Sequence, residues 1–155
     1  MKILMVCLGN ICRSPLAEGI LQHKSKNTNI FVDSAGTASY HIGKLPDIRS
    51  IEIANKYGID LSNQRARQFS EKDYDNFDKI YAMDTHNYAS IISISRNEND
   101  RNKVELILNK INPKSCDSVP DPYYGEGDGF QKVYDMLDKA CDIIVSKLWE
   151  KENFI

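Results

Sequence analysis

The sequence lacks a strong charge of either sign, a long apolar run and any low-complexity stretch. Among its 155 residues, 20 basic and 22 acidic side chains leave a formal net charge of -2. This balance offers no electrostatic footprint for nucleic acid or an anionic membrane. No apolar run approaches the roughly 20 residues that span a bilayer. With 41% hydrophobic residues, 27% charged residues, 8 Gly and 5 Pro, the composition fits neither a disordered nor a collagen-like chain. We predict one domain over residues 1–155.

The sequence also lacks a recognisable signal peptide and a cysteine framework. The apolar start of the chain ends after six residues at Gly9 and Asn10, which is short for a signal peptide, and no cleavage motif follows. The four cysteines, at positions 7, 12, 116 and 141, match neither a zinc pattern nor a secreted disulfide framework. We predict a protein of the reducing cytoplasm, with export by an unrecognised route left open.

What the sequence does contain is four short apolar runs that alternate with segments of helical periodicity. The runs, residues 3–6, 30–32, 79–83 and 104–108, are typical of strands. Helices are predicted over residues 15–23 and 48–57, after Ser70, and over about 85–95; Asp47 caps the second and Gly58 ends it. The alternation predicts an α/β fold of three layers, in which a four-stranded parallel sheet carries helices on both faces.

The clearest helix lies near the end of the chain. Its apolar residues recur at steps of three and four and form one stripe, made of Phe130, Val133, Tyr134, Leu137, Cys141, Ile144 and Leu148. We interpret this stripe as core and not as a cofactor groove. The polar residues 96–103 are predicted to form a solvated surface loop.

The carboxyl ends of the predicted strands mark the place for chemistry, because open α/β sheets bind ligands beyond that edge. Cys7, Asp33, Ser34 and Asp84 stand at strand ends, and residues 109–129 should run along the same edge. Any active site is therefore expected there.

Residues 7–15 have the composition of an anion-binding turn between a strand and a helix. Gly9 and Asn10 tolerate positive φ, so a tight loop can turn its N–H groups inward. Ser14 is predicted as the N-cap of the first helix, with Pro15 at its first position. A concave loop that leads into a helix N-terminus attracts anions.

Two side chains of this turn are candidates for chemistry. Arg13 offers a planar fork that suits phosphate oxygens. Cys7 would lie at the floor of the site, where the positive potential favours a thiolate, an in-line nucleophile for a bound phosphate. A lone cysteine at a strand end would more often be a packing residue, but the combination with Arg13 favours a functional role.

A second motif places one carboxylate between two prolines. Pro120 and Pro122 stiffen the backbone around Asp121, which is a suitable way to hold a general acid over a pocket. Taken alone the motif is a turn, and only its pairing with the cysteine turn makes it specific.

Together these motifs resemble the low-molecular-weight protein tyrosine phosphatases. The resemblance rests on Cys7, five intervening residues and then Arg13-Ser14-Pro15, and on residues 121–125, Asp-Pro-Tyr-Tyr-Gly. Residues 33–37, 66–68, 77–78 and 82–84 are also similar to landmarks of the family, so the resemblance covers nearly the whole chain. It implies the same four-stranded parallel sheet, with a phosphate-binding loop after the first strand.

The resemblance implies a role for each residue of the site. Cys7 would be the nucleophile that forms a phosphocysteine, Arg13 the phosphate clamp, and Asp121 the general acid and then the base. The remaining expected substrate- or phosphate-binding residues, including those that hold the loop and those that form an aromatic slot, are Leu8, Gly9, Asn10, Ile11, Cys12, Ser14, Ser34, Tyr40, Tyr123 and Tyr124.

The implied reaction is the hydrolysis of phosphotyrosine in proteins, with inorganic phosphate as a product. It needs no metal and no cofactor, and we expect no nucleic-acid or membrane partner and a monomeric enzyme. His23, His41 and His86 are scattered in the sequence and are interpreted as ordinary surface or packing residues.

The chain differs from many relatives at Gln64 and Tyr40, and it carries a second cysteine of the loop at Cys12. Gln64 lies in a segment where many relatives carry a histidine, and residues 63–65 of this chain contain none. Tyr40 stands where bacterial relatives often have tryptophan, which affects the shape of the pocket. Cys12 resembles a second cysteine that forms a reversible disulfide with Cys7, and packing within the loop is the alternative.

Three other functions compete with this interpretation. An arsenate reductase of the same fold would need a cysteine pair after the third strand, and residues 85–103 contain none. A phosphoarginine phosphatase resembles this loop but carries threonine where Ile11 stands, and the apolar Ile11 favours a flat phenyl ring. A binding module without activity would lack Cys7, Arg13 or Asp121, and all three are present.

Overall fold

The structure is a computed structural model that describes residues 1–125 and 127–153. Within these residues, four strands form one parallel sheet in the order β2-β1-β3-β4: β1 Lys2–Cys7, β2 Phe31–Gly36, β3 Lys79–Ala82 and β4 Val104–Leu106. The helices are α1 Arg13–Lys24, α2 Ile48–Lys56, α3 Asp73–Asn76, α4 Thr85–Ser93, α5 Glu98–Asn102 and α6 Gly129–Asn153, and a 3-10 helix spans Ile107–Lys110.

The sheet separates two hydrophobic clusters, and β1 contributes to both. Ile3 and Met5 face the cluster under α1, α2 and α6, whereas Leu4 and Val6 face the cluster under α3 and α4. A strand covered on both faces needs apolar residues throughout, which explains the continuous apolar run. The predicted α/β fold, a four-stranded parallel sheet with helices on both faces, is confirmed.

Two of the predicted helices follow their local signals closely. The Asp47 carboxylate accepts the Arg49 N–H at 2.9 Å and caps α2, and Gly58, with φ of 76°, follows its end. In α6 the central stripe residues are buried, as predicted: Val133, Tyr134, Leu137, Cys141 and Ile144. No helix among the described residues is long and apolar enough to cross a membrane.

Residues 96–103 are mostly exposed, as the prediction of a solvated surface loop requires, but the prediction of a loop is wrong. The segment contains α5, which begins where the Asn97 side chain accepts the Asp100 N–H at 2.9 Å. Asp100 is buried, and the Arg96 guanidinium donates a hydrogen bond to its carboxylate at 2.8 Å. This hydrogen bond lowers the pKa of Asp100 to about 2. An ion pair between buried Asp100 and exposed Arg96 therefore organises a segment that has no apolar residues.

The predicted starts of two other helices also differ from the structure. Helix α1 begins at Arg13 with Cys12 as its cap residue, so Ser14 is not the N-cap; its hydroxyl bonds the sulfur of Cys7 instead. The helix expected after Ser70 begins only at Asp73, whose carboxylate accepts the Ser70 N–H at 2.9 Å.

Candidate active site

The turn after β1 is fastened to the neighbouring strand β2 by backbone contacts. The Thr37 N–H donates to the Cys7 carbonyl and the Ala38 N–H to the Leu8 carbonyl, both at 2.9 Å. Gly36 lies so close to this turn that a Cβ at its position would stand 2.7 Å from the Leu8 carbonyl oxygen. The turn, residues 7–13, is called the Cys loop below, and its backbone has little room to move.

The sulfur of Cys7 lies at the floor of the Cys loop and is surrounded by donors. The Ser14 hydroxyl lies 2.9 Å from Sγ, and the Asn10 N–H donates to Sγ at 3.3 Å. Both contacts stabilise a thiolate, which accepts hydrogen bonds but donates none. Helix α1 starts directly behind, so its N-terminal partial positive charge acts in the same direction.

One buried amide holds the Cys loop from behind. The Asn10 side chain donates to the hydroxyls of Ser14 (2.8 Å) and Ser34 (2.9 Å), and its oxygen accepts the Arg67 N–H at 3.0 Å. Asn10 has φ of 58°, as predicted, whereas Gly9 does not share the predicted positive φ. A Cβ on Gly9 would instead stand 2.9 Å from Cδ2 of His41.

The Asn10 network ends at a buried carboxyl group on α1. The Ser34 hydroxyl donates to Glu18 Oε1 at 2.7 Å, and the exposed fraction of Glu18 is 6%. Burial raises the pKa of Glu18 to about 7; the Ser34 hydrogen bond opposes this shift, and the neighbouring Asp33 adds to it. The sequence reasoning missed Glu18, because one acidic residue in a helix carries no signal of burial.

Arg13 is almost completely buried, and its guanidinium is held in place on one side. It donates to the Asp84 carboxylate at 2.6 Å and to the Val119 carbonyl at 3.0 Å. Asp84 also caps α4, since it accepts the Asn87 N–H at 2.7 Å. The prediction placed Asp84 at the edge that holds the site but gave it no role, because its contact with Arg13 joins residues 71 positions apart.

Asp121 lines the same opening as residues of the Cys loop. One carboxylate oxygen stands 3.7 Å from the Arg13 guanidinium, and the other accepts the Tyr123 N–H at 3.1 Å. Its side chain remains 37% exposed. The carboxyl group therefore faces the same space as Cys7 and Arg13 but stays in contact with solvent.

These groups surround a cleft of about 270 Å³. Of the predicted residues, those that line it are Cys7, Leu8, Gly9, Ile11, Cys12, Arg13, Tyr40, Asp121, Tyr123 and Tyr124. Asn10, Ser14 and Ser34 do not line it; they are buried behind the Cys loop.

His41 also lines the cleft, contrary to its interpretation as an ordinary surface or packing residue. Its ring meets that of Tyr40 edge-on, and its Nδ1 is buried without a hydrogen-bond partner in the described part of the chain. Its position next to Tyr40 in the sequence is the one local signal, and the direction of its side chain depends on the fold.

The two cysteines of the loop have different environments. Burial, followed by the negative charge of Asp47, raises the pKa of Cys12 to about 12, so Cys12 is a neutral thiol at physiological pH. Cys7, by contrast, has the two donors described above. Within residues 1–125 and 127–153, no group of three His, Cys, Asp or Glu side chains is arranged to hold a metal ion.

Comparison with known proteins gives consistent matches over nearly the whole chain. The family model described as low molecular weight phosphotyrosine protein phosphatase matches residues 2–153. A protein of Schizosaccharomyces pombe with that name is 39% identical over 141 residues, which cover 88% of this chain and 89% of the relative.

Solved structures give the same result. A protein tyrosine phosphatase from Entamoeba histolytica, crystallised with Hepes in the active site, superimposes with a TM-score of 0.90 at 38% identity and covers 98% of this chain and 99% of its own. A Drosophila arginine phosphatase superimposes with a TM-score of 0.85 at 32% identity, and the match covers 96% of this chain and 98% of the Drosophila chain.

Proposed function

The chain belongs to the low molecular weight phosphotyrosine protein phosphatase family, and we propose which of its residues perform the family's reaction. The protein is a hydrolase, a protein-tyrosine-phosphatase that works through a cysteine. We assign Cys7 as the nucleophile, Arg13 as the phosphate clamp and Asp121 as the general acid. The observation that carries this assignment is that their sulfur, guanidinium and carboxylate groups face one cleft.

In the first step, the Cys7 thiolate attacks phosphorus while the bond to the tyrosyl oxygen breaks, and a phosphocysteine forms. Protonated Asp121 gives its proton to the departing phenolate. Because a phenol has a pKa of about 10, this proton lowers the barrier but matters less than it would for an alkoxide. The Arg13 guanidinium and the N–H groups of the Cys loop stabilise the charge of the transition state.

In the second step, water hydrolyses the phosphocysteine. The Asp121 carboxylate, now a base, takes a proton from the attacking water, and phosphate leaves while the Cys7 thiolate is restored. The hydrogen bonds from Ser14 and Asn10 that stabilise the thiolate in the free enzyme also make it a better leaving group here. The positive charge needed in both steps is available from Arg13, and no step calls for a metal ion.

The rim of the cleft supports an aryl phosphate as the substrate. Tyr40, Tyr123 and Tyr124 stand around the opening, and Tyr124 is 90% exposed. Ile11 adds an apolar wall where a phosphoarginine-specific relative would carry threonine. Flat aromatic rings stack on such surfaces. We therefore propose phosphotyrosine in proteins, and not phosphoarginine, as the preferred substrate.

The substrate is tested by steady-state hydrolysis of phosphotyrosine, phosphoserine and phosphoarginine peptides, between about pH 5 and pH 8, with EDTA and a thiol reductant. The expected result is EDTA-insensitive release of phosphate from phosphotyrosine alone. Hydrolysis of phosphoarginine alone would assign the protein to the activity named for its Drosophila relative, and would show that Ile11 does not select the ring.

We also propose that the enzyme is a monomer of the cytoplasm, where its thiolate nucleophile stays reduced. The four cysteines are free thiols in the structure. A tight dimer in sedimentation at micromolar concentration would contradict the monomer.

A further inference from the structure

The N-terminus of α2 is attached directly to the Cys loop. The Asp47 N–H donates to the Ile11 carbonyl at 2.8 Å, and the Ser50 hydroxyl donates to the Cys12 carbonyl at 3.2 Å. Ser50 is fully buried. The backbone of this first turn of α2 is therefore held next to the Cys loop.

Arg49 extends from that turn, and its guanidinium has a fixed orientation. It binds the Asp47 carboxylate at two points, Nε to Oδ1 at 3.0 Å and one terminal nitrogen to Oδ2 at 2.9 Å. This pair also holds the pKa of Asp47 below its usual range. Two-point pairing of a planar guanidinium fixes the direction of its remaining N–H groups.

The same guanidinium reaches the segment that carries Asp121. Its terminal nitrogen donates to the Tyr123 carbonyl at 3.2 Å. Its Cζ atom lies 4.7 Å from the ring centroid of Phe130 and 5.5 Å from that of Tyr123. The Tyr123 N–H in turn holds the Asp121 carboxylate at 3.1 Å. Arg49 thus connects the Cys loop to residues 120–125, called the acid loop below.

We propose that Arg49 is a positioning residue that holds the acid loop, and with it the Asp121 carboxyl group, at the leaving-group side of the cleft. The inference rests on the proposed role of Asp121 as the general acid. Arg49 does not line the cleft and acts through the Tyr123 backbone. Its loss should therefore affect proton transfer to the leaving group and leave the attack of Cys7 unchanged.

This role predicts a dependence on the leaving group that general structural damage would not produce. A good leaving group such as p-nitrophenolate departs without a proton, whereas phenolate benefits from one. In R49M, which keeps an apolar stem over Phe130 but removes the guanidinium, kcat/KM for phenyl phosphate should fall by about tenfold or more. The value for p-nitrophenyl phosphate should fall by less than about threefold.

The experiment measures kcat/KM for phenyl phosphate and for p-nitrophenyl phosphate in five proteins: wild type, R49M, R49K, D121A and R49M/D121A. R49K, which keeps the charge but not the planar fork, should restore only part of the loss. The double variant should be no slower than D121A, because Arg49 acts through Asp121. R101M is the matched control, since Arg101 forms an exposed pair with Glu98 on α5, and its rates should equal those of wild type.

Inhibition by inorganic phosphate tests whether the Cys loop stays intact, and its inhibition constant should be the same in R49M and wild type. The role of Arg49 would be overturned if kcat/KM of R49M fell equally for phenyl phosphate and p-nitrophenyl phosphate. It would also be overturned if the loss in the double variant were the product of the losses in R49M and D121A. Either result would leave the role of Asp121 standing. Equal losses of D121A on the two phosphates would remove Asp121 as the general acid and overturn both proposals.

Discussion

The wall of the cleft that carries Cys7 is supported by buried side chains that form hydrogen bonds with one another. The wall that carries Asp121 is partly exposed to solvent. Asn10, Ser14 and Ser34 are each less than 5% exposed. The Asp121 side chain is 37% exposed, and Arg49, which reaches its loop, is 40% exposed. The nucleophile is therefore held by a buried network, whereas the acid is held by contacts that are partly exposed. Changes on the first wall should affect every substrate, and changes on the second should affect mainly substrates with poor leaving groups.

The largest expected effect tests the buried wall. C7S should abolish turnover, because a serine hydroxyl at this position is not ionised near neutral pH. Phosphate binding should persist, since Arg13 and the Cys loop backbone are unchanged. Steady-state assays and isothermal titration with inorganic phosphate measure the two properties separately. Measurable turnover by C7S would remove Cys7 as the nucleophile.

The next effect tests the exposed wall. D121A should slow the hydrolysis of phosphotyrosine by about 10²–10⁴, the usual span for general acid catalysis. Thermal stability should change little, because the lost side chain is partly exposed and its pairing with Arg13 is long, at 3.7 Å. A wild-type rate on phosphotyrosine would place the acid elsewhere.

A third variant breaks the buried wall without touching the sulfur. N10A removes the hydrogen bonds that Asn10 donates to the Ser14 and Ser34 hydroxyls and the acceptor of the Arg67 N–H, and puts alanine at φ of 58°. The free energy of unfolding should fall by at least about 2 kcal/mol, and kcat/KM should fall on good and poor leaving groups alike.

Asn27 provides the matched control for N10A. It is exposed and has φ of 68°, so N27A carries the backbone cost without the loss of a buried network. Chemical denaturation of both variants separates the two contributions. If N27A and N10A lose the same stability, the buried amide network contributes nothing beyond its backbone conformation.

The sequence predicted the parts of this molecule that depend on near neighbours in the chain. The cap at Asp47 and the stop at Gly58 involve residues a few positions apart, and both are confirmed. All four predicted strands are found, and β1 shows how burial on both faces leaves an apolar run. The bounds of two differ: β2 extends to Gly36, beyond the predicted residues 30–32, and residues 107–108 belong to a 3-10 helix. Ser14 was misassigned because its hydroxyl could cap a helix or bond Cys7, and only the packing of the Cys loop decides between them.

Two of the missed features depend on contacts between residues that are far apart in the sequence. Arg13 meets Asp84 across 71 positions, and Arg49 meets Tyr123 across 74. Helix α5 depends on burial of Asp100 beside Arg96, which composition does not reveal. The motifs therefore indicated residues that line the cleft but did not identify the side chains that hold them.

The smallest effect concerns the end of the buried network. The pKa of Glu18 is about 7 in the folded protein, against an ordinary value of 4.5. Between these values the folded protein holds a proton that the unfolded chain releases. Stability should therefore fall as pH rises from about 4.5 to about 7, by on the order of 3 kcal/mol, and this group adds no further change above pH 7.

E18Q removes this titration but keeps an oxygen that can accept the Ser34 hydroxyl bond. Its free energy of unfolding should therefore lack the decline between about pH 4.5 and pH 7, and exceed that of wild type most at the upper end of this window. Carboxyl groups with a lowered pKa, such as Asp100 at about 2, lose their contribution to stability only below this pH window. That loss is the same in wild type and E18Q. Urea denaturation of wild type and E18Q at several pH values measures the difference. If the free energies of unfolding of wild type and E18Q changed in parallel with pH, Glu18 would be ionised throughout the window from about pH 4.5 to pH 7. The buried wall would then contain a fixed negative charge.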